Sequence, residues 1–527
     1  MKSMRVQNII SLALAAMLAA AMLAGCVQDF QEPEETETAS QTPAPVTPVS
    51  VADKLFTLNY DAEAGFNPLI CSSSTNTEIA CLIYEGLFVL DEKFNAVPKL
   101  CEEYGSDDGL NWSFRLKPDV AMHDGSYLTA EDAVYSLREA KRTRFASRFN
   151  HMSDVKTTGE LTFTVTLSKE NYGFIALLDV PIFKNGTGGD FAPIGTGPYI
   201  YEKDASSLSK FSMHRDFNEL SLRKIYLREF EPSGLTRAFT GHEVDLIIED
   251  PLSNTAEGVN SGHERYEYDT TVFQYIGFNT KNGVFTDNRM RKAIGYAVNR
   301  QYIVEDIMKG AALPAVLVLS PALSYYDEEW EKGFGYSMHS YSRNLASVGL
   351  EDLDSDGFLE LPGDSGDYVD LTLDFIVNED SIYKIKAAQE IEYSVKSVGI
   401  DINLRILKWN EYKAALRSGD FDMYYGEILL TPDFNFEQLI SPGGQLNHGG
   451  YDNEDCLAVS RMFLGAKDGE EKADAAKQLC GVVSQSAPIV PVLYRKYCVH
   501  SNRGVVSGLN PSFSGVLSGI SGWKIIL

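Results

Sequence analysis

The chain has 527 residues, of which 44% are hydrophobic and 11% aromatic, and a formal net charge of −28 at pH 7. Such a composition can bury a large core, and the length beyond residue 52 suits two or three domains of ordinary size. The acidic excess argues against nucleic acid, whose phosphates need Lys and Arg partners. It says little about small solutes, because net charge mostly governs solubility.

In chain order, Lys2 and Arg5 open the sequence and an apolar run follows from Ile9 to Leu23. A positive start, an apolar stretch and small residues make a secretory signal. The run is short for a span of about 20 residues, and no later apolar run reaches that length. Leu23-Ala24-Gly25-Cys26 resembles the bacterial lipobox. That resemblance implies cleavage after residue 25 and a diacylglycerol on Cys26, hence anchoring to the membrane by lipid. Residues 26–52 carry Asp29, Glu32, Glu34, Glu35 and Glu37, then Thr, Ser and Pro. Too polar to offset its ordering entropy, this stretch reads as a solvated tether.

Beyond the tether, β-like runs at Leu55–Tyr60 and Leu161–Leu167 alternate with helical patterns. Thr129 can cap a helix with Glu131 and Asp132 in its first turn. A second helix is expected from Asp287, with Met290, Ala293, Ile294 and Ala297 on one face, and a third over about residues 383–398. Gly195 and Gly197 permit positive φ, and Pro198 fixes the entry to the strand at Tyr199. Mixed strands and helices without repeats make an α/β chain.

Several segments, in order, resemble the extracytoplasmic solute-binding proteins of ABC transporters, family 5, whose members bind oligopeptides, dipeptides and nickel complexes. They are Phe66-Asn67-Pro68-Leu69, Ile83-Tyr84-Glu85-Gly86-Leu87 and the stretch Asp108 to Lys117. His123-Asp124-Gly125 through Thr129-Ala130-Glu131-Asp132 to Ser136 is the most specific. Pro193 to Tyr199 follows, then Phe278-Asn279-Thr280 and Arg289 to Arg300. The resemblance implies a two-lobed, class II periplasmic-binding-protein-like trap with a subdomain inserted in the first lobe. Residues 53–82, 195–271 and 489–527 would form lobe I, 83–194 the inserted subdomain and 272–488 lobe II. A second crossing between lobes is expected near Phe421–Glu427.

The implied function is capture of oligopeptides in an interlobe cleft by a monomer, with delivery to an ABC permease and no enzymatic activity. The extracytoplasmic face of a cell membrane is expected, a Gram-positive surface being favoured over a periplasm. The alternatives are the same fold binding a nickel chelate, haem or an oligosaccharide, or a surface enzyme or sensor without transport. Candidate cleft residues are Ser72, Ser73, Phe183, Asn185, Trp409 and Tyr425. Peptide-binding members hold the ligand's ammonium with an Asp near the second crossing. Aligning Pro432 with the motif's Pro puts Ile428 at that place, so Glu427 or Asp433 would have to substitute, and amine recognition is open.

Asp352, Asp354 and Asp356 with Gly357 resemble the start of an EF-hand loop, but position 12 is Gly363 where calcium needs a bidentate Glu. A structural turn is expected there. No H-E-x-x-H, G-x-S-x-G or P-loop occurs, and neither cofactor nor metal is expected. Cys71, Cys81, Cys101, Cys456, Cys480 and Cys498 lack the paired spacing of a zinc site. They allow 15 disulfide pairings or none, as buried apolar groups.

Overall fold

The computed structural model describes residues 55–253, 259, 262–362, 367–467 and 469–526; the signal, Cys26, the tether up to 52 and Gly363 lie outside the described residues. The main body is organised on one mixed sheet of eleven strands. Its order runs Tyr199–Glu202, Ser207–Lys210, Lys224–Arg228, Phe56–Asn59, Leu246–Glu249, Ile489–Asn502, His263–Phe278, Met423–Leu429, Thr372–Asn378, Asp401–Leu407. The strand Ala312–Pro314 pairs beside this path with Ile489–Asn502.

Two strands are far longer than the rest, His263–Phe278 with 16 residues and Ile489–Asn502 with 14. They run antiparallel from His263↔Asn502 to Gly277↔Ile489, with register shifts between Asp269 and Phe273 and between Gln274 and Tyr275. One end of Ile489–Asn502 pairs with Leu246–Glu249, and the opposite end of His263–Phe278 pairs with Met423–Leu429. The pair therefore carries the chain between the two lobes. This corrects the expected second crossing. Among the described residues Met423–Leu429 pairs only with His263–Phe278 and Thr372–Asn378, and at seven residues it is at most half the length of the crossing strands.

A four-stranded antiparallel sheet stands apart, in the order Cys101–Gly105, Asn111–Leu116, Thr162–Leu167, Met152–Thr157. Its middle strands alternate in burial, with Trp112, Phe114 and Leu116 inward from one and Phe163, Val165 and Leu167 from the other. That period of two gives one apolar face, against which helix Ala130–Ala140 packs. Thr129 and Asp132 form a reciprocal capping box at its start, satisfying two backbone donors that the first turn leaves free.

Helices Asn288–Ala297 and Ile382–Lys396 share one apolar cluster. Asp287 caps the former by accepting from the Arg289 amide at 2.8 Å. The buried Arg291 guanidinium donates to the carbonyls of Phe285, Ser486 and Ala487. Gly195 and Gly197 are not among the described glycines at positive φ. They are needed for closeness instead: a Cβ would lie 2.2 Å from the Ile83 carbonyl oxygen at Gly195 and 2.5 Å from the Ile83 carbonyl carbon at Gly197.

The segments flanking the four-stranded sheet touch the stretch after Met423–Leu429. Phe94 packs edge-on against Phe434 at 5.4 Å between centroids. Lys169 Nζ donates to Glu437 at 2.7 Å, and Asn171 Nδ2 to Asp433 at 2.9 Å.

Candidate functional site

The strand Met423–Leu429 and the turn after it lie where three cavities meet. The first, of about 450 Å³, is walled by Thr77, Glu78, Cys81, Arg144, Arg148 and Phe513, with Leu429, Leu430 and Thr431 on the second-lobe side. The second, about 620 Å³, lies between Trp409, Tyr425, Glu427, Lys384, Arg495 and Asp250. The third is smaller, about 210 Å³; it shares Leu429, Leu430 and Thr431 with the first and Leu446 with the second.

Glu427 is compensated on every side. Its carboxylate accepts from Gln274 Nε2 at 2.6 Å, with Arg495 Nη1 at 3.3 Å and Lys384 Nζ at 3.4 Å. Burial pushes its pKa up, but Lys384, Arg495 and the Gln274 hydrogen bond outweigh that, so it titrates below the ordinary carboxylate value. Arg495 also pairs with Asp250. Tyr425 is 1% exposed and donates its hydroxyl to Gln274 Oε1 at 2.8 Å. It braces the Gln274–Glu427 contact from behind. Trp409, at the start of helix Trp409–Ser418, stacks on Tyr412 at 5.9 Å and leaves 49% of its surface exposed at the cavity.

Asp433 is buried, taking hydrogen bonds from Asn171 and from Thr431 Oγ1 at 2.5 Å, with no cation in salt-bridge range among the described residues. It lines the third cavity. The other expected cleft residues are not brought there. Ser73 caps helix Ser74–Ile79, and Ser72 is exposed before it; the cavity is reached one turn later, by Thr77, Glu78 and Cys81. Phe183 is 0% exposed and packs edge-on against Tyr135, so it belongs to the first-lobe core. Asn185 is exposed on a loop whose amide is held by Asp132 Oδ1 at 2.8 Å.

Charged groups that sequence reading missed complete the first cavity. Arg144 donates to Thr77 Oγ1 at 3.0 Å, and no carboxylate lies within 4.0 Å of it among the described residues. Glu78 beside it is pushed up to about 7 by burial, against the lowering influence of Arg144. Glu85 is held at about 2: burial raises it, but His214, Arg215 and Lys99 together outweigh that. No sequence motif marks Arg144 or Glu78, because a helix and a turn distant in the chain bring them together.

Asp352, Asp354 and Asp356 spend carboxylate oxygens on the backbone amides of Ser355, Gly357, Asp356 and Phe358. Glu360 joins them within 4.8 Å. All six cysteines in the described residues are free thiols, and only Cys81 is not fully buried.

Residues 95–445 match the family described as bacterial extracellular solute-binding proteins, family 5. The chain belongs to that family. Over 464 residues it is 24% identical to an oligopeptide-binding protein of Bacillus subtilis, covering 81% of this chain and 84% of the relative. It is 28% identical over 465 residues to a glutathione-binding protein of Salmonella paratyphi A, covering 82% and 86%. A crystal structure of a putative peptide-binding protein from Clostridium difficile superposes with a TM-score of 0.71 at 19% identity, over 90% of this chain and 100% of that one. This family 5 protein is therefore a two-lobed α/β solute-binding component of a transport system, and not an enzyme. None of its described helices is long and apolar enough to cross a membrane.

Proposed function

We propose that the protein is a lipid-anchored extracytoplasmic receptor, tethered through Cys26, that captures oligopeptides between its lobes as a monomer and delivers them to an ABC permease. The observation that carries this reading is the meeting of three cavities on residues 426–431, walled by the first lobe, the inserted subdomain and the second lobe together. A ligand there touches all three bodies at once, and contacts made only in the closed state are what favour closure. The long pair His263–Phe278 with Ile489–Asn502 supports a division near residues 272 and 489, and the separate four-stranded sheet supports an insertion between 83 and 195. The acidic tether and Cys26 favour a Gram-positive surface.

Peptide termini need opposite charges. Glu427 is already neutralised by Lys384 and Arg495, and Asp433 is spent on Asn171 and Thr431, so neither serves as the anion for the ligand's ammonium. Arg144, a guanidinium without an ion-pair partner within 4.0 Å among the described residues, meets the carboxylate, and Glu78, raised to about 7 by burial and ionised further by a bound cation, meets the ammonium. Trp409 walls a side-chain pocket. Two experiments test this. Mass analysis of solute released from gently purified protein should give short peptides. Thermal shift against a peptide library, a nickel–histidine chelate and haem should give stabilisation by peptides, reduced in Arg144→Met. No stabilisation by any peptide, or stabilisation only by the chelate or haem, refutes the peptide reading.

A further inference from the structure

On the first-lobe half of the long strand Ile489–Asn502, Cys498 and His500 stand two residues apart and so on one face. Glu249 lies directly opposite Cys498 in the register with the neighbouring strand. His500 Nε2 lies 3.0 Å from Glu249 Oε2 and 3.4 Å from Cys498 Sγ, and all three donor atoms fall within 4.8 Å of one another. Cys498 is 0% exposed and His500 5%, whereas Glu249 is half-buried and opens the cluster towards solvent. His500 Nδ1 and His263 Nδ1 are buried without any hydrogen-bond partner. The two imidazoles lie 4.8 Å apart, making His263 the next donor in reach.

We propose that Glu249, Cys498 and His500 bind one zinc ion, a structural site separate from the solute cleft. A thiolate, an imidazole and a carboxylate are the donors that borderline divalent zinc prefers. Bond lengths of about 2.0–2.3 Å at a tetrahedral centre set neighbouring donors roughly 3.3–3.6 Å apart, close to the 3.0 and 3.4 Å separations already in place. The charges also balance: one thiolate and one carboxylate neutralise the cation, while Arg265 beside Cys498 retains Glu267 as its own partner at 3.0 Å. Cys498 gives up its proton to solvent as the Zn–S bond forms, with no change of oxidation state. The ion would tie Leu246–Glu249 to the crossing strand, next to Asp250 and its partner Arg495 in the cavity wall.

The test uses the purified protein, stripped with a chelator and titrated with zinc, then with cobalt(II) as an optical substitute. One equivalent of zinc retained through gel filtration is expected, with a thiolate-to-cobalt charge-transfer band. Cys498→Ser should lose the band and the retained zinc. Glu249→Gln, at the open side of the cluster, removes a direct ligand and should weaken binding by more than the roughly 10-fold that loss of an outer-shell partner costs, while leaving the circular dichroism unchanged. Absence of retained zinc overturns the proposal. So does retention unchanged in Cys498→Ser, which would place the ion on the acidic loop at Asp352. If Cys498→Ser does not fold, the cobalt spectrum of the unaltered protein and the Glu249→Gln affinity decide.

Discussion

Glu437 offers a quantitative test of how the inserted subdomain holds the second lobe. Its carboxylate is 7% exposed and lies 2.7 Å from Lys169 Nζ, 3.4 Å from His151 Nε2 and 3.8 Å from Arg461 Nε. The hydrogen bond from His151, then Lys169, holds it at about 2 against an ordinary value of 4.5. At about 1.4 kcal/mol per pH unit that difference corresponds to roughly 3 kcal/mol as an upper figure. Lys169 and Arg461 are 45% and 57% exposed, so solvent screening reduces it, and Glu437→Gln is expected to cost about 1–2 kcal/mol at pH 7. Because the folded-state pKa is depressed, this stabilisation is present above the unfolded value. It is lost as pH falls from about 5 towards 2, with less than half left by pH 3. The assay is urea unfolding of the parent and Glu437→Gln at pH 7, 4 and 3, with a double-mutant cycle against Lys169→Met at pH 7. A difference that stays constant with pH, or a coupling energy of zero, would refute the reasoning.

Arg495→Met leaves both Glu427 and Asp250 short of their shared cation in a poorly solvated wall; a loss of about 3–5 kcal/mol is expected, measured by denaturant unfolding. The parallel substitution Lys384→Met should cost less, because Arg495 and Gln274 still hold Glu427. At Gly277 a Cβ would sit 2.1 Å from the Tyr424 ring, so Gly277→Ala should destabilise by about 1–3 kcal/mol through overpacking, read as a lower urea midpoint. In the native protein Cys71, Cys101, Cys456, Cys480 and Cys498 should react with a thiol reagent only on unfolding, with Cys81 reacting first; rapid modification of several thiols before unfolding would contradict their burial.

Much of the scaffold was legible in the chain. The helix after Thr129, the helix after Asp287 and the alternating strands Asn111–Leu116 and Thr162–Leu167 follow from local rules, namely caps, dipoles and periodicity. Those rules act over a few residues, so sequence displays them directly. The cleft was legible only in part. Trp409, Tyr425 and Glu427 do gather at one cavity, because one helix start and one strand carry them. Ser72, Ser73, Phe183 and Asn185 were candidates by position in the chain, but a cap, a core site and a tethered loop hold them elsewhere. The Gly195–Pro198 turn was legible as a site that needs glycine, but its close approach to Ile83 was not.

By itself, then, the sequence determined the α/β class, the family and the local elements, through short-range preferences and ordered motifs. Only the tertiary structure decided which strands cross between lobes, since that depends on pairing partners hundreds of residues apart. It also decided that Glu427 is already neutralised, because Lys384, Gln274 and Arg495 come from three other segments. The meeting of Glu249 with Cys498 and His500 is the same kind of fact: a register between strands, invisible as spacing along the chain.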